Sequence, residues 1–123
     1  MAKKILLVED EELLINLLQR KLMESGYLVF LARDGEEGLK LMRQNPPDIV
    51  LLDIIMPKMG GFEVLEEMAK DNSLKKIPVV IVSNSGQPVE IDRAKRLGVK
   101  DWFIKTEFDP EKVLEKVIAQ IGK

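Results

Sequence analysis

Residues 48–57 have the sequence DIVLLDIIMP, and this stretch decides the fold. Residues 49–52 are all apolar, and Asp53 follows them without any alternation of polar and apolar side chains. Such a run predicts a strand that is buried on both faces, as the central strand of a parallel sheet must be. Open parallel sheets bind their ligands beyond the carboxyl ends of the strands. Asp53 is therefore expected at the edge of the sheet where a functional site forms.

Four other short segments are rich in apolar residues and predict four more strands. They are residues 5–8, 28–32, 79–82 and 102–104. Segments with the apolar periodicity of helices separate these strands, and another such segment follows the last of them. This alternation predicts an α/β fold, a doubly wound parallel sheet of five strands with five helices, and residues 1–123 are expected to form one domain.

Several residues mark where the predicted helices begin and end. Gly26 and Gly98 are expected to follow helix ends, and Asp34 and Asp109 are expected to cap helix starts. In the first helix, five leucines are predicted to lie on one apolar face. They are Leu13, Leu14, Leu17, Leu18 and Leu22.

The composition excludes several classes of function. Of the 123 residues, 46% are hydrophobic and 33% are charged, and the net charge of −2 provides no basic surface for nucleic acid. The chain has no cysteine and no histidine, which excludes zinc–thiolate sites, imidazole bases and thiol nucleophiles. Any bound metal is expected to be a hard cation held by oxygen atoms. No apolar run is long enough to insert into a membrane, so a cytoplasmic location is expected.

Polar side chains follow every predicted strand except the second. They are Glu9 and Asp10, Asp53, Ser83, and Lys105. Taken singly, each has an ordinary explanation as a cap, a turn residue or a solvated charge. Because the carboxyl ends of parallel strands meet at one edge, their coincidence at four strand ends favours a functional site instead. Crowded carboxylates repel one another unless a cation neutralises them, and an all-oxygen site suits Mg²⁺.

The predicted cluster has the groups that phosphoryl transfer requires. A carboxylate beside Mg²⁺ and a lysine ammonium can attack a phosphoryl group, because the cations offset the charge on the transferring oxygens. A hydroxyl such as that of Ser83 can then bind the product. The residues alone therefore indicate phosphoryl chemistry at Asp53.

Four motifs resemble those of the receiver domain of two-component response regulators, over nearly the whole length of the chain. They are LVEDE at residues 7–11, LLDIIMPKMGG at 51–61, PVVIVS at 78–83 and WFIK at 102–105. The resemblance implies a flavodoxin-like (βα)5 fold with strand order 2-1-3-4-5. It also implies that Asp53 accepts a phosphoryl group from a sensor histidine kinase or a phosphotransfer protein. Mg²⁺ would be held by Asp10, Asp53 and the backbone carbonyl of Ile55, with Glu9 acting through bound water.

The same resemblance implies how phosphorylation is read out. Lys105 would pair with the phosphoryl oxygens, while Ser83 would move to bind them and draw Trp102 inward. The changed surface would be the fourth helix, fifth strand and fifth helix, roughly residues 89–121, and it would bind a downstream protein target. The chain is expected to assist its own phosphorylation and dephosphorylation rather than to act as an enzyme on other substrates.

Further expectations concern the organisation of the protein. We expect a single receiver domain without an output domain, acting as a monomer or as a weak dimer that depends on phosphorylation. Direct binding to nucleic acid and insertion into a membrane are not expected.

Several positions depart from the usual pattern of the family. Glu9 replaces the commoner Asp, Ser83 replaces Thr, and Trp102 replaces Tyr or Phe. Asn84 stands where a small residue is usual and bears on donor access and phosphoryl lifetime. Thr106 replaces the proline that normally follows the lysine through a cis bond. Because a cis bond before a non-proline residue costs about 2.5–4 kcal/mol, a trans Lys105–Thr106 bond and a reshaped loop are predicted.

Two other classes of function remain open at this point. One is a protein-binding module that keeps the fold but does not need phosphorylation. The other is a Mg²⁺-dependent phosphatase that uses Asp53 as a transient nucleophile on outside substrates. No long loop is evident that could enclose such a substrate, which weighs against the phosphatase.

Overall fold

The computed structural model describes residues 2–107 and 109–123. Five strands and five α-helices alternate along these residues, and a short 3₁₀ turn at Lys105–Glu107 precedes the last helix. The strands are β1 (Lys4–Val8), β2 (Leu28–Ala32), β3 (Ile49–Leu52), β4 (Val79–Ser83) and β5 (Asp101–Ile104). The helices are α1 (Glu12–Glu24), α2 (Gly35–Gln44), α3 (Gly61–Lys70), α4 (Pro88–Arg96) and α5 (Pro110–Ile121).

The strands form one parallel sheet in the order β2-β1-β3-β4-β5. This confirms both the fold class and the strand order that the resemblance implied. In the pairing register, Val8 lies opposite Leu52, and Leu52 lies opposite Ile81. The carboxyl ends of β1, β3 and β4 therefore meet at the same edge of the sheet.

Helices cover both faces of the sheet, which explains why its central strands are apolar throughout. One core cluster packs alternate residues of β1 and β3 against α2 and α3, and a second packs the intervening residues against α1 and α5. All four residues of β3 are fully buried. The prediction of a strand buried on both faces is confirmed.

The predicted apolar face of α1 was too wide. Leu14, Leu18 and Leu22 are buried, but residues Leu13 and Leu17 are 67% and 44% exposed. At about 100° per residue, Leu13 and Leu17 lie roughly 140–180° around the helix from the buried Leu22, so they face away from the sheet. The buried stripe is completed by Ile15, which lies one position after Leu14.

The capping predictions are confirmed. The Asp34 carboxylate accepts a hydrogen bond from the backbone N–H of Glu37 at 2.9 Å, and that of Asp109 accepts one from Glu111 at 3.0 Å. Gly26 and Gly98 follow α1 and α4 with positive φ angles of 96° and 93°, a conformation that other residues adopt only with strain. None of the helices among the described residues is long and apolar enough to cross a bilayer.

Candidate functional site

The sheet register places two acidic residues side by side at the carboxyl edge. Glu9 follows β1 and Asp53 follows β3, and the last residues of these strands, Val8 and Leu52, are paired. The pairing continues one step further, because the backbone N–H of Asp53 donates to the carbonyl of Val8 at 3.0 Å. The side chains of Glu9 and Asp53 are both buried.

Asp10 completes an acidic cluster with these two residues. Carboxylate oxygens of Glu9, Asp10 and Asp53 all lie within 4.8 Å of one another, and Asp10 is exposed at the surface of the cluster. The Asp53 carboxylate is further fixed by the backbone N–H groups of Ile54 and Ile55, which donate to its Oδ1 at 2.7 and 3.4 Å. The predicted convergence of the three acids is confirmed.

Lys105 brings the positive charge of the site. It follows β5 directly, and its Nζ donates to Glu9 Oε2 at 2.9 Å and to Asp53 Oδ2 at 3.1 Å. Only 9% of its side chain is exposed. No peptide bond within the described ranges is cis, so the Lys105–Thr106 bond is trans, as predicted. A 3₁₀ turn begins at Lys105 and ends at Glu107.

Burial and crowding perturb the ionisation of this site. Burial raises the pKa of Glu9 to about 7, although the hydrogen bond from Lys105 opposes the rise. Burial likewise raises the pKa of Asp53, against the attraction of Lys105. Burial alone would lower the pKa of Lys105, but its hydrogen bonds and its attraction to Glu9 and Asp53 outweigh burial and raise it. One ammonium therefore leaves the two buried carboxylates incompletely compensated.

The donor atoms of the cluster fit a hard divalent cation. Three carboxylates from Glu9, Asp10 and Asp53 converge, and oxygen is the ligand that Mg²⁺ prefers. Burial raises the pKa of both Glu9 and Asp53 despite the neighbouring Lys105, so additional positive charge would favour their ionised forms. A divalent cation would supply it.

Ser83 and Trp102 are connected to each other through a single residue. Ser83, the last residue of β4, is fully buried, and its Oγ accepts a hydrogen bond from the backbone N–H of Ser85 at 3.2 Å. The indole N–H of Trp102 donates to the backbone carbonyl of Ser85 at 2.7 Å. The Trp102 ring also packs against Phe62 of α3, with 6.5 Å between ring centroids. Two hydrogen bonds to Ser85, in the loop after β4, therefore link the Ser83 hydroxyl to the Trp102 indole.

The predicted site residues are therefore arranged in two groups. Glu9, Asp10, Asp53 and Lys105 form one contiguous cluster. Trp102 lies within β5 opposite Ile81, two positions before the carboxyl end of that strand, and is linked to Ser83 through Ser85. The backbone N–H of Ile55 donates a hydrogen bond to the Asp53 carboxylate. The role of the Ile55 carbonyl as a metal ligand stays a prediction.

The sequence analysis missed the contact between Glu11 and Lys105 and the close packing that requires glycine at position 61. Glu11 is a third carboxylate partner of Lys105, at 3.2 Å from its Nζ. Position 11 directly precedes α1, where a short capping side chain is usual, so the glutamate found there could have indicated another role. At Gly61, a Cβ would lie 2.4 Å from the carbonyl oxygen of Asp53, so only glycine lets α3 start this close to the site.

The raised pKa of Glu9 predicts that the apoprotein loses stability as the pH rises. A carboxyl with an ordinary value of 4.5 and a value of about 7 in the folded protein binds its proton more tightly when folded. The free energy of unfolding should therefore fall by about 2–3 kcal/mol between about pH 4.5 and 7, and it should level off above that range. Asp53 adds to the fall in the same direction. Urea unfolding in the presence of a chelator, followed from pH 5 to pH 8, measures this change.

The control for this prediction is the Glu9→Gln variant. It has no carboxyl at position 9, so its stability should depend much less on pH over the same range. A wild-type stability that rises with pH, or an equal dependence in Glu9→Gln, would contradict the assignment.

Comparison with known proteins agrees with this fold. The sequence model of the response regulator receiver domain matches residues 5–118. The chain is 35% identical over 119 residues to protein PilH of Pseudomonas aeruginosa, covering 97% of this chain and 98% of PilH. The crystal structure of the phosphorylated cyanobacterial phytochrome response regulator RcpA superposes with a TM-score of 0.83 at 35% identity, covering 97% of this chain and 91% of that one.

Other relatives are longer than this chain. The alkaline phosphatase synthesis transcriptional regulatory protein PhoP of Bacillus subtilis is 36% identical over 119 residues, which cover 97% of this chain but 48% of PhoP. The chain thus spans about half the length of the first curated relatives it matches.

Proposed function

The chain belongs to the response regulator receiver domain family, and from this premise we propose that Asp53 is the phosphoacceptor of a signalling switch. Receiver domains are switches controlled by phosphorylation in two-component systems, rather than enzymes with substrates of their own. The observation that carries the proposal is the contact of 3.1 Å between Lys105 Nζ and Asp53 Oδ2, inside a cluster of three carboxylates.

The chain's own groups can perform most of the transfer. A carboxylate oxygen of Asp53 attacks the phosphorus atom of the donor, and the bond from phosphorus to the donor's leaving group breaks as the new P–O bond forms. Backbone N–H groups of Ile54 and Ile55 hold the Asp53 carboxylate in a fixed orientation. The Lys105 ammonium stabilises the negative charge on the transferring phosphoryl oxygens.

Mg²⁺ is the proposed cofactor. Asp10, Asp53 and the backbone carbonyl of Ile55 would hold it, with Glu9 acting through water. When bound, it would neutralise the acidic cluster and offset charge on the phosphoryl oxygens. The converging carboxylates of Glu9, Asp10 and Asp53, two of them incompletely compensated, support this assignment.

The hydrogen-bond chain through Ser85 supports a specific form of the switch. A phosphoryl group on Asp53 would attract the Ser83 hydroxyl as a donor, because phosphoryl oxygens are strong acceptors. Movement of Ser83 would disturb the bond it accepts from the Ser85 N–H, and Trp102 is bonded to the carbonyl of the same residue. The position of Trp102 would then change the surface formed by α4, β5 and α5.

The partners follow from this scheme. We propose that a sensor histidine kinase or a phosphotransfer protein donates the phosphoryl group, and that a downstream protein binds the α4–β5–α5 surface. Residues 1–123 would act as one receiver domain, as a monomer or as a weak dimer that depends on phosphorylation. The net charge of −2 argues against direct binding of nucleic acid.

Intact-mass spectrometry tests the proposed function. The protein is incubated with Mg²⁺ and acetyl phosphate, a small phosphoryl donor, and then weighed. We expect the mass of one added phosphoryl group. An unchanged mass would favour a protein-binding module that does not depend on phosphorylation, whereas continuous release of phosphate from many phosphate esters would favour a phosphatase.

Fluorescence of Trp102 should report on the acidic cluster. It is the only tryptophan of the chain, and it is linked to the Ser83 loop through Ser85. Addition of Mg²⁺ is expected to change the emission of the wild-type protein, because charge neutralisation at Asp53 alters the neighbouring loop. The response should be far smaller in Asp10→Ala and in Asp53→Ala. Equal responses in all three proteins would speak against the metal site.

A further inference from the structure

We propose that Glu11 is a positioning residue that competes with the phosphoryl group for Lys105 and thereby slows the phosphorylation of Asp53. The inference rests on the proposed function, since it concerns the same transfer. It assigns a role to a carboxylate that neither attacks the donor nor belongs to the proposed metal ligands.

The first observation is that Lys105 has no free N–H. Its Nζ donates to Glu9 at 2.9 Å, to Asp53 at 3.1 Å and to Glu11 at 3.2 Å. An ammonium group carries three N–H donors, and three carboxylates occupy them. Lys105 can therefore bind a phosphoryl oxygen only if one of these carboxylates releases it.

The second observation is that Glu11 is held in place for this contact. It occupies the cap position before α1 with extended backbone angles, yet its side chain makes no capping hydrogen bond. Its backbone N–H donates instead to Glu9 Oε2 at 3.1 Å. The backbone of Glu11 is thus anchored to the buried cluster while its side chain reaches Lys105.

The third observation identifies which carboxylate releases Lys105 most easily. Glu9 and Asp53 are buried, and a buried carboxylate that loses its ion-pair partner is strongly destabilised. The Glu11 side chain is 51% exposed, so water can replace the ammonium as its partner. Glu11 is therefore the partner that Lys105 can leave at the lowest cost, and a phosphoryl group that recruits Lys105 competes with this contact.

The effect of removing the competitor should be modest but measurable. Exposed ion pairs contribute about 0.2–1 kcal/mol, which corresponds to a rate change of about 1.4- to 5-fold. We expect Glu11→Gln to be phosphorylated by acetyl phosphate about threefold faster than the wild type at the same saturating Mg²⁺ concentration, because a neutral amide holds the ammonium less tightly. Stopped-flow fluorescence of Trp102 or quenched-flow mass spectrometry gives the rate constant.

A matched control separates this effect from a simple change of net charge. Glu12→Gln removes the same charge from the next residue, which is similarly exposed but pairs with Arg33 at 2.6 Å rather than with Lys105. Its rate constant should stay at the wild-type value. An equal acceleration in Glu12→Gln would show that Glu11 acts only by repelling the anionic donor.

A double-mutant cycle with Lys105→Ala provides the second test, since coupled residues give non-additive effects. In the Lys105→Ala background, Glu11→Gln should no longer change the rate constant. A second readout is the affinity for beryllofluoride, a phosphoryl mimic that undergoes no transfer. It should increase about threefold in Glu11→Gln but not in the double variant.

The outcomes distinguish this inference from the proposed function. A wild-type protein that gains no phosphoryl group would overturn the proposed function itself. A phosphorylated wild type with an unchanged or slower Glu11→Gln variant, or an acceleration that persists without Lys105, would overturn the role of Glu11 alone.

Discussion

Replacement of Asp53 by asparagine is expected to abolish phosphorylation. The amide of asparagine has nearly the shape of the carboxylate but lacks the charged oxygen that attacks phosphorus. With acetyl phosphate and Mg²⁺, the rate should fall by at least about 1,000-fold, as is typical when a covalent nucleophile is removed. Intact-mass spectrometry over a time course measures the loss.

The fold should survive this substitution. Burial raises the pKa of Asp53, so a negative charge at this position is unfavourable in the folded protein. A neutral amide removes this unfavourable charge. A matched control is Asp92→Asn, which removes an exposed carboxylate on α4 and should be phosphorylated like the wild type. Rapid phosphorylation of a folded Asp53→Asn protein would show that another carboxylate is the acceptor.

Removal of divalent cations should have the second largest effect. Glu9 and Asp10 lie beside Asp53, the proposed nucleophile, and Lys105 alone compensates these three carboxylates incompletely. A chelator is therefore expected to lower the rate of phosphorylation by about 100-fold or more, the scale on which losing a major source of charge stabilisation slows such reactions. Restoring Mg²⁺ should restore the rate.

Asp10→Asn provides the matched variant for the metal. Asp10 is exposed and is not a partner of Lys105 among the described contacts, so its substitution should impair the metal response while leaving the ion pairs of Lys105 in place. It should need a much higher Mg²⁺ concentration for the same rate. Phosphorylation that is equally fast in chelator and in Mg²⁺ would contradict the assignment of a metal to this cluster.

Much of the architecture could be predicted from local sequence, because the apolar runs and the capping residues indicated the same strands and helices. The unbroken apolar run at residues 49–52 predicted a central parallel strand, and the structure places it between β1 and β4 with all its side chains buried. Capping residues marked the starts of α2 and α5 through direct hydrogen bonds that depend only on neighbouring residues. The strand order came from the resemblance, since strands of similar composition can be ordered in several ways.

The limits of prediction are clearest at α1. Leucine composition predicted an apolar face but could not show how helix rotation would expose Leu13 and Leu17 while burying Ile15. That rotation is set by the whole core beneath α1, which includes residues of β1, β3 and α5.

The site shows a similar division between local and distant information. Residues at strand ends were predictable, because a parallel sheet gathers them whatever the details of side-chain packing. The contact between Glu11 and Lys105 joins residues 94 positions apart, and the Ser85 link between Ser83 and Trp102 depends on loop geometry. Neither follows from periodicity or capping, so both required coordinates.

The measurement that tests the central claim most directly is the location of the phosphoryl group. The wild-type protein is phosphorylated with acetyl phosphate and Mg²⁺, reduced with borohydride to convert any aspartyl phosphate into homoserine, digested and sequenced by mass spectrometry. Our account predicts homoserine at position 53 and unchanged residues at Glu9, Asp10 and Glu11. Conversion at another acidic position, or at none in a protein that has gained a phosphoryl group, would contradict it.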